Sequence, residues 1–406
     1  MKRKSQREHS DKFLNAVEHN NEDDLDLILA VETLSAINQQ DLHLPKYKSL
    51  RKLIFNLGFF LDGDFSKITQ ALELNMYDHV FYALSMMRSL DKNIKIGSVQ
   101  RWVRLAALES DLGLRYRLLD AIIRTSDPDQ ISLTDNVEET HVQNHLRRLE
   151  PFAIPGNSEI ITKVEKNWEF YLVETEKNFK DGSHLQILSH APGSVNFENS
   201  GKIIKTDIPF IQNGFALSNV LSSNECAQLI NAADSIGWID NSGYSFTANV
   251  NKGAAGVVWL VDDSILNPIM ERIKPFLPNV EKFAGINARF RFYKYSLGSE
   301  FRPHIDGSWP GSGFVNDNYA FDAYGDRWSF YTCLIYLNDA SEFDGGETSF
   351  FWPSSKDGVL IKRGISPKSG AFLFFPHGNK ALVHEGSAVT KGFKYVIRTD
   401  VLYYKS

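Results

Sequence analysis

The strongest constraint on the fold is a change of hydrophobic period about halfway along the chain. In the first part, apolar residues recur at three- and four-residue steps. They do so in Leu25, Leu27, Ile28, Leu29, Val31 and Leu34, and again through Leu50 to Leu61, Ile68 to Leu84 and Trp102 to Leu119. This spacing gives a helix one apolar face. Ser66 and Ser98 stand where helices can start. From Ile203 onward the period falls to two. Arg289, Arg291, Tyr293 and Tyr295 alternate with Phe290, Phe292 and Lys294, and Trp328 to Leu337, Ala371 to Phe375 and Lys394 to Tyr403 alternate likewise. Successive side chains of a strand point to opposite faces, so these runs predict strands. Asn213 to Leu217 reads as a further short strand. Ser222 to Ile236 is the main exception, an amphipathic helix opened by Ser222 or Ser223 with Glu225 in its first turn.

The fold class that follows is α+β. Residues 1–125 are expected to form an α-helical domain, 126–202 a mixed connecting segment, and 203–406 a jelly roll or sandwich. Within the connecting segment, Val137 to Leu149 and Ile160 to Phe179 read as helices, separated by breaks such as Ser126-Asp127-Pro128-Asp129 and Lys180-Asp181-Gly182-Ser183.

Composition narrows the partners. The 406 residues carry a net charge of −6, so no global basic field holds a nucleic acid. No run of 18 apolar residues predicts a membrane span. The basic start, Lys2, Arg3, Lys4 and Arg7, lacks the apolar stretch of a secretory signal and reads as a solvated tail or a weak nuclear-targeting segment. Two cysteines, Cys226 and Cys333, are too few for a disulfide framework and are expected buried. Cytosol or nucleus is the expected compartment.

Three groups stand out against the strand pattern. Arg302-Pro303-His304-Ile305-Asp306-Gly307 places a His and an Asp two apart before a glycine able to turn. Leu382-Val383-His384-Glu385-Gly386 supplies a second His, and Lys394 follows ten residues later. Two imidazoles and a carboxylate on one face of a metal leave positions open, a geometry suited to non-haem Fe(II).

With these residues the C-terminal half resembles the prolyl 4-hydroxylase branch of the Fe(II)/2-oxoglutarate dioxygenases. The resemblance runs through Arg291-Phe292-Tyr293-Lys294-Tyr295 with Gly298, Pro303 to Gly307, and Thr332 to Asn338. It continues through Gly345-Gly346-Glu347-Thr348, His384-Glu385-Gly386 and Gly392-Phe393-Lys394-Tyr395. It spans about Phe210 to Tyr404 and implies a double-stranded β-helix. It also implies that His304, Asp306 and His384 bind iron, that Lys394 pairs with the distal carboxylate of 2-oxoglutarate, and that Tyr336 and Tyr295 line the cosubstrate site. O2 is the second cosubstrate and ascorbate an accessory. Arg398, four residues after Lys394, is an alternative partner for the carboxylate, since arginine forms the better fork.

Other candidates have milder readings. His377 is a rival ligand or a turn residue. His141 and His145, four apart, lack a third ligand and read as a solvated face. Glu347 is structural or lies near the entrance. Trp309 and Arg302 grip substrate or only pack. The expected function is hydroxylation of a C–H bond, on a protein side chain such as proline or on a small molecule, with release of succinate and CO2. The alternative is a binding module in which the helical half recruits a partner and the jelly roll senses oxygen or 2-oxoglutarate.

Overall fold

The computed structural model describes residues 64–89, 94–127, 142–156, 166–177, 184–198, 201–240, 250–378 and 382–405. The predicted helices at Leu25 to Leu34 and Leu50 to Leu61, the basic start and His141 lie outside them. The described N-terminal part is helical: α1 (Asp64–Leu74), α2 (Tyr77–Ser89), α3 (Ile96–Ala106) and α4 (Leu112–Ser126). Each of the two long apolar runs is thus a pair of helices. Asn75 breaks the first with φ +60°, and Asp111 restarts the second by accepting a bond from the Leu114 N–H. Ser66 and Ser98 lie inside their helices rather than capping them.

The chain divides into two compact units, Met1–Val80 and Phe81–Ser406. α3 and α4 therefore belong with the strands. The core of the second unit is eight strands: β1 (Arg289–Tyr295), β2 (Glu300–His304), β3 (Arg327–Tyr336), β4 (Thr348–Pro353), β5 (Leu360–Ser366), β6 (Phe372–Pro376), β7 (Val383–Gly386) and β8 (Lys394–Tyr404). One sheet contains the antiparallel order β1-β8-β3-β6, the other β2-β7-β4-β5. That order is the one a jelly roll has.

The segment expected to be a mixed connector extends both sheets. Leu146–Ala153 pairs in parallel with β5. Phe170–Lys177 and His184–His190 form a hairpin that joins the other sheet through Ala255–Leu260. The helical readings of Val137 to Leu149 and Ile160 to Phe179 fail wherever these stretches are described. Leu146, Leu149 and Phe152 imitate a helical step, but a register shift between Arg363 and Ile365 accounts for the lost alternation. His145 sits in a turn with φ +62°, its ring nitrogen 3.0 Å from the Gly358 carbonyl.

The larger sheet is covered on its outer face. The helices Ser223–Ile236 and Asp263–Ile273 pack there against Phe290, Phe292, Cys333, Ile335, Ile397 and Val401. The predicted capping box of Ser222 and Glu225 is present, and both cysteines are buried and free. On the smaller sheet, α4 docks over β4 and β5. Tyr116 lies 6.2 Å from the Phe351 ring, and Arg124, paired with Asp120 at 2.8 Å, donates to the carbonyls of Ser354 and Lys356. No helix among the described residues is long and apolar enough to cross a membrane.

Candidate active site

Strand pairing brings the two histidines together. His304 on β2 lies directly opposite His384 on β7, with ring centroids 4.2 Å apart. Asp306 follows β2, and its two oxygens lie 3.6 Å from His304 Nε2 and His384 Nε2. One ligand atom from each of the three residues falls within 4.8 Å of the other two. Each Nδ1 faces a carbonyl two residues earlier, Arg302 O at 2.9 Å and Leu382 O at 3.0 Å. A donated Nδ1–H at both leaves each Nε2 lone pair directed at the shared point. Phe301, Phe350 and Phe375 wall the imidazoles. Burial, aided by His384, pushes the His304 imidazolium down to about 3, so this ring is neutral, as a ligand must be.

The carboxylate is held from behind. Burial alone would raise the Asp306 carboxyl, but the Arg398 guanidinium at 3.1 Å, with the imidazoles, holds it well below the ordinary range. The Thr332 hydroxyl donates to its second oxygen at 2.6 Å, and His377 Nε2 lies 2.6 Å from that hydroxyl. Asp400 lies 3.5 Å from Arg398 and 3.4 Å from His377. His377 therefore stands behind the triad, outside the cluster of ligand atoms, and more firmly placed than a turn residue. On the other side, the Gln100 side chain of α3 donates to the carbonyl of Asp306 at 3.2 Å. Gly307 adopts no left-handed conformation, so the turn does not depend on its freedom.

A second buried group lies deeper between the sheets. Lys394 opens β8 opposite Tyr295, and its Nζ sits 5.1 Å from the Tyr295 ring and 5.6 Å from the Tyr336 ring. Nζ donates to the Gly346 carbonyl at 2.7 Å, and the Tyr336 hydroxyl donates to Thr348 Oγ1 at 2.7 Å. Burial pushes the Lys394 ammonium down to about 7, against the pull of Glu347. Arg398 does not join this group; it is committed to Asp306. Gly346, at φ +69°, would press an added Cβ to 3.1 Å from Lys394 Cδ, which explains a glycine before Glu347.

The residues fit a divalent ion and a dicarboxylate: a two-imidazole and one-carboxylate cluster for the first, a buried cation with nearby hydroxyls for the second. The profile of the 2OG-Fe(II) oxygenase superfamily matches residues 290–399, which include all seven of these predicted site residues. Residues 290–399 are a 2OG-Fe(II) oxygenase domain. The chain accordingly carries a 2-oxoglutarate-dependent dioxygenase domain, of a family whose cofactor set is Fe(II), 2-oxoglutarate and O2.

Among solved structures, the oxygenase domain is similar to a viral collagen prolyl hydroxylase of Paramecium bursaria Chlorella virus-1 in complex with 2-oxoglutarate. The two share 19% identity over 47% of this chain and 97% of that one, with a TM-score of 0.32. A Pseudomonas putida prolyl-4-hydroxylase shares 18% over 43% and 80%, TM-score 0.27. HygX from Streptomyces hygroscopicus, with nickel, 2-oxoglutarate and hygromycin B bound, shares 12% over 47% and 83%, TM-score 0.30. No curated protein matches the chain.

Sequence reasoning missed Gln100, Thr332, Asp400 and the Gly346 carbonyl. Only Thr332 and Gly346 had a signal, since both lie inside quoted motifs.

Proposed function

We propose that the chain hydroxylates a C–H bond of a protein side chain, with proline the nearest analogy, inside a double-stranded β-helix. His304, Asp306 and His384 would hold Fe(II); Lys394, with Tyr295 and Tyr336, would receive the distal carboxylate of 2-oxoglutarate. Arg398 instead orients Asp306. The observation that carries this reading is the presence of two separate buried groups between the sheets: a two-His, one-carboxylate cluster, and Lys394, which among the described residues has no carboxylate at ion-pair distance. When bound, the iron supplies the oxidation that converts 2-oxoglutarate and O2 to succinate and CO2 as C–H becomes C–OH.

The protein's own residues do the rest. The Nδ1 bonds fix both imidazole tautomers. Arg398 and Thr332 keep Asp306 charged and aimed. The Phe301, Phe350 and Phe375 rings exclude water around the histidines. The intact ligand set, with Lys394 still in place, supports an active enzyme over a sensing or scaffold module.

The test is succinate release from 2-oxoglutarate by the full chain with Fe(II), O2 and ascorbate. Slow turnover is expected without substrate and none in His304→Ala. Equal, zero release by both proteins would refute the reading. Mass spectrometry of trapped proteins should then find a gain of one oxygen atom on the substrate residue.

A further inference from the structure

The inner face of the larger sheet carries a second cation that the reaction does not use. Arg291 lies on β1 directly opposite Arg398 on β8, so the two side chains leave the sheet about 5 Å apart. Alternation places it on the same face as Tyr293 and Tyr295, which pack in the cluster between the sheets. Its neighbours are all committed. Arg289 is bound to Glu176 at 2.7 Å and to Tyr319 at 3.1 Å. Arg398 holds Asp306 and Asp400. Among the described residues, Arg291 has no hydrogen-bond acceptor and no carboxylate at ion-pair distance. Asp400 acts on it only weakly, after the repulsion of Arg289 and Arg398. The residue nevertheless keeps part of its surface open, and none of its nitrogens is sealed off without a partner, as Nε of Arg398 is.

Like charges directly opposite in a sheet are unfavourable, and more so where the guanidinium is half-buried and has no carboxylate to pair with. Such a group persists where an anion arrives to share it. Lys394 lies four residues from Arg398 along β8, about 13 Å at strand rise. Arg291 is therefore at the level of Arg398 and its partner Asp306, well away from Lys394 along the strand.

We propose that Arg291 is a substrate-recognition residue that binds an anionic group, carboxylate or phosphate, of the molecule being hydroxylated. The proposal rests on the oxygenase reading of the site. It narrows the substrate to one carrying a negative charge close to the reacting carbon, such as an acidic peptide, and Arg291 would orient that carbon by holding the charge.

The probe is methylphosphonate, added to the full chain loaded with Mn(II) and saturating 2-oxoglutarate, and followed by phosphorus NMR. Paramagnetic Mn(II) broadens the phosphorus line only if the anion sits near the metal. Saturable broadening is expected in wild type. Arg291→Gln should weaken the apparent affinity by about tenfold or more, and Arg291→Lys should retain part of it. In both variants the 2-oxoglutarate affinity and the near-UV circular dichroism should stay as in wild type. No broadening in wild type, or equal broadening in Arg291→Gln, would overturn the proposal. A loss of 2-oxoglutarate affinity in Arg291→Gln would also overturn it, by assigning the arginine to the cosubstrate. Failure of the wild type to bind Mn(II) or 2-oxoglutarate at all would instead condemn the oxygenase reading beneath it.

Discussion

Replacing Lys394 with alanine removes the buried cation between the sheets and leaves the His304, Asp306 and His384 cluster untouched. Lys394 contacts none of His304, Asp306 or His384; its bonded neighbour is the Gly346 carbonyl. A dicarboxylate entering the mutant pocket would keep the nearby tyrosines but lose its counter-charge. Stranding one member of a buried, hydrogen-bonded charge pair costs about 3 kcal/mol, or roughly a hundredfold in Kd. Isothermal titration of 2-oxoglutarate into the Mn(II)-loaded protein measures this, with Mn(II) affinity as the control expected to hold. The pH profile adds a signature. Burial has pushed the free lysine down to about 7, whereas binding a dianion favours its protonated form. Below pH 7 the ammonium is already present and affinity should be level. Above it, binding must take up a proton, so affinity should fall by up to about tenfold per pH unit. Lys394→Ala should flatten that slope. A mutant Kd within a few-fold of wild type would refute the assignment, and so would a slope that survives the mutation.

Arg398→Met should weaken Mn(II) binding by about ten- to a hundredfold, because Asp306 loses the guanidinium at 3.1 Å that keeps it charged and aimed; electron paramagnetic resonance of free Mn(II) reads this directly. His377→Ala should bind as much Mn(II) as wild type, since His377 stands behind Thr332 rather than in the cluster, and a lost equivalent of metal would reinstate it as a ligand. Gly346→Ala should raise the KM for 2-oxoglutarate in succinate-release assays without abolishing metal binding, because its added methyl presses on Lys394 and the backbone there has φ +69°. Asp120→Ala should lower the urea midpoint at constant m-value, a loss of about 3 kcal/mol, because it removes the buried carboxylate of Arg124 and leaves only the exposed Asp357 at 3.2 Å to pair with it.

Much of the oxygenase domain was legible because the chemistry is packed into short motifs on regular strands. His304 and Asp306 are near neighbours, and Lys394 follows His384 at a set offset. What stayed hidden depends on which strands meet. Arg398 and Asp306 are brought together across two sheets, and Gln100 reaches Asp306 from a helix 206 residues earlier. No local pattern encodes such pairs. The connecting segment misled for a related reason. Leu146, Leu149 and Phe152 keep a helical step because the strand they form is paired across an irregular register, so tertiary pairing overrode the local period.

The alternation in β1 carries a further lesson. It shows two faces but does not say which one is inside. In a half-solvated sheet the apolar face would turn inward, and Arg289, Arg291, Tyr293 and Tyr295 would face water. Here helices Ser223–Ile236 and Asp263–Ile273 claim Phe290 and Phe292 on the outer face, and the polar set is left to line the space between the sheets. The same inversion governs β8, where Lys394 and Arg398 point inward while Ile397 and Val401 pack under the helices. A strand with arginines on the face that a jelly roll encloses has no reason to keep them there unless charge is to be met inside. The helices that cover the outer face thus help decide which charges face the space between the sheets.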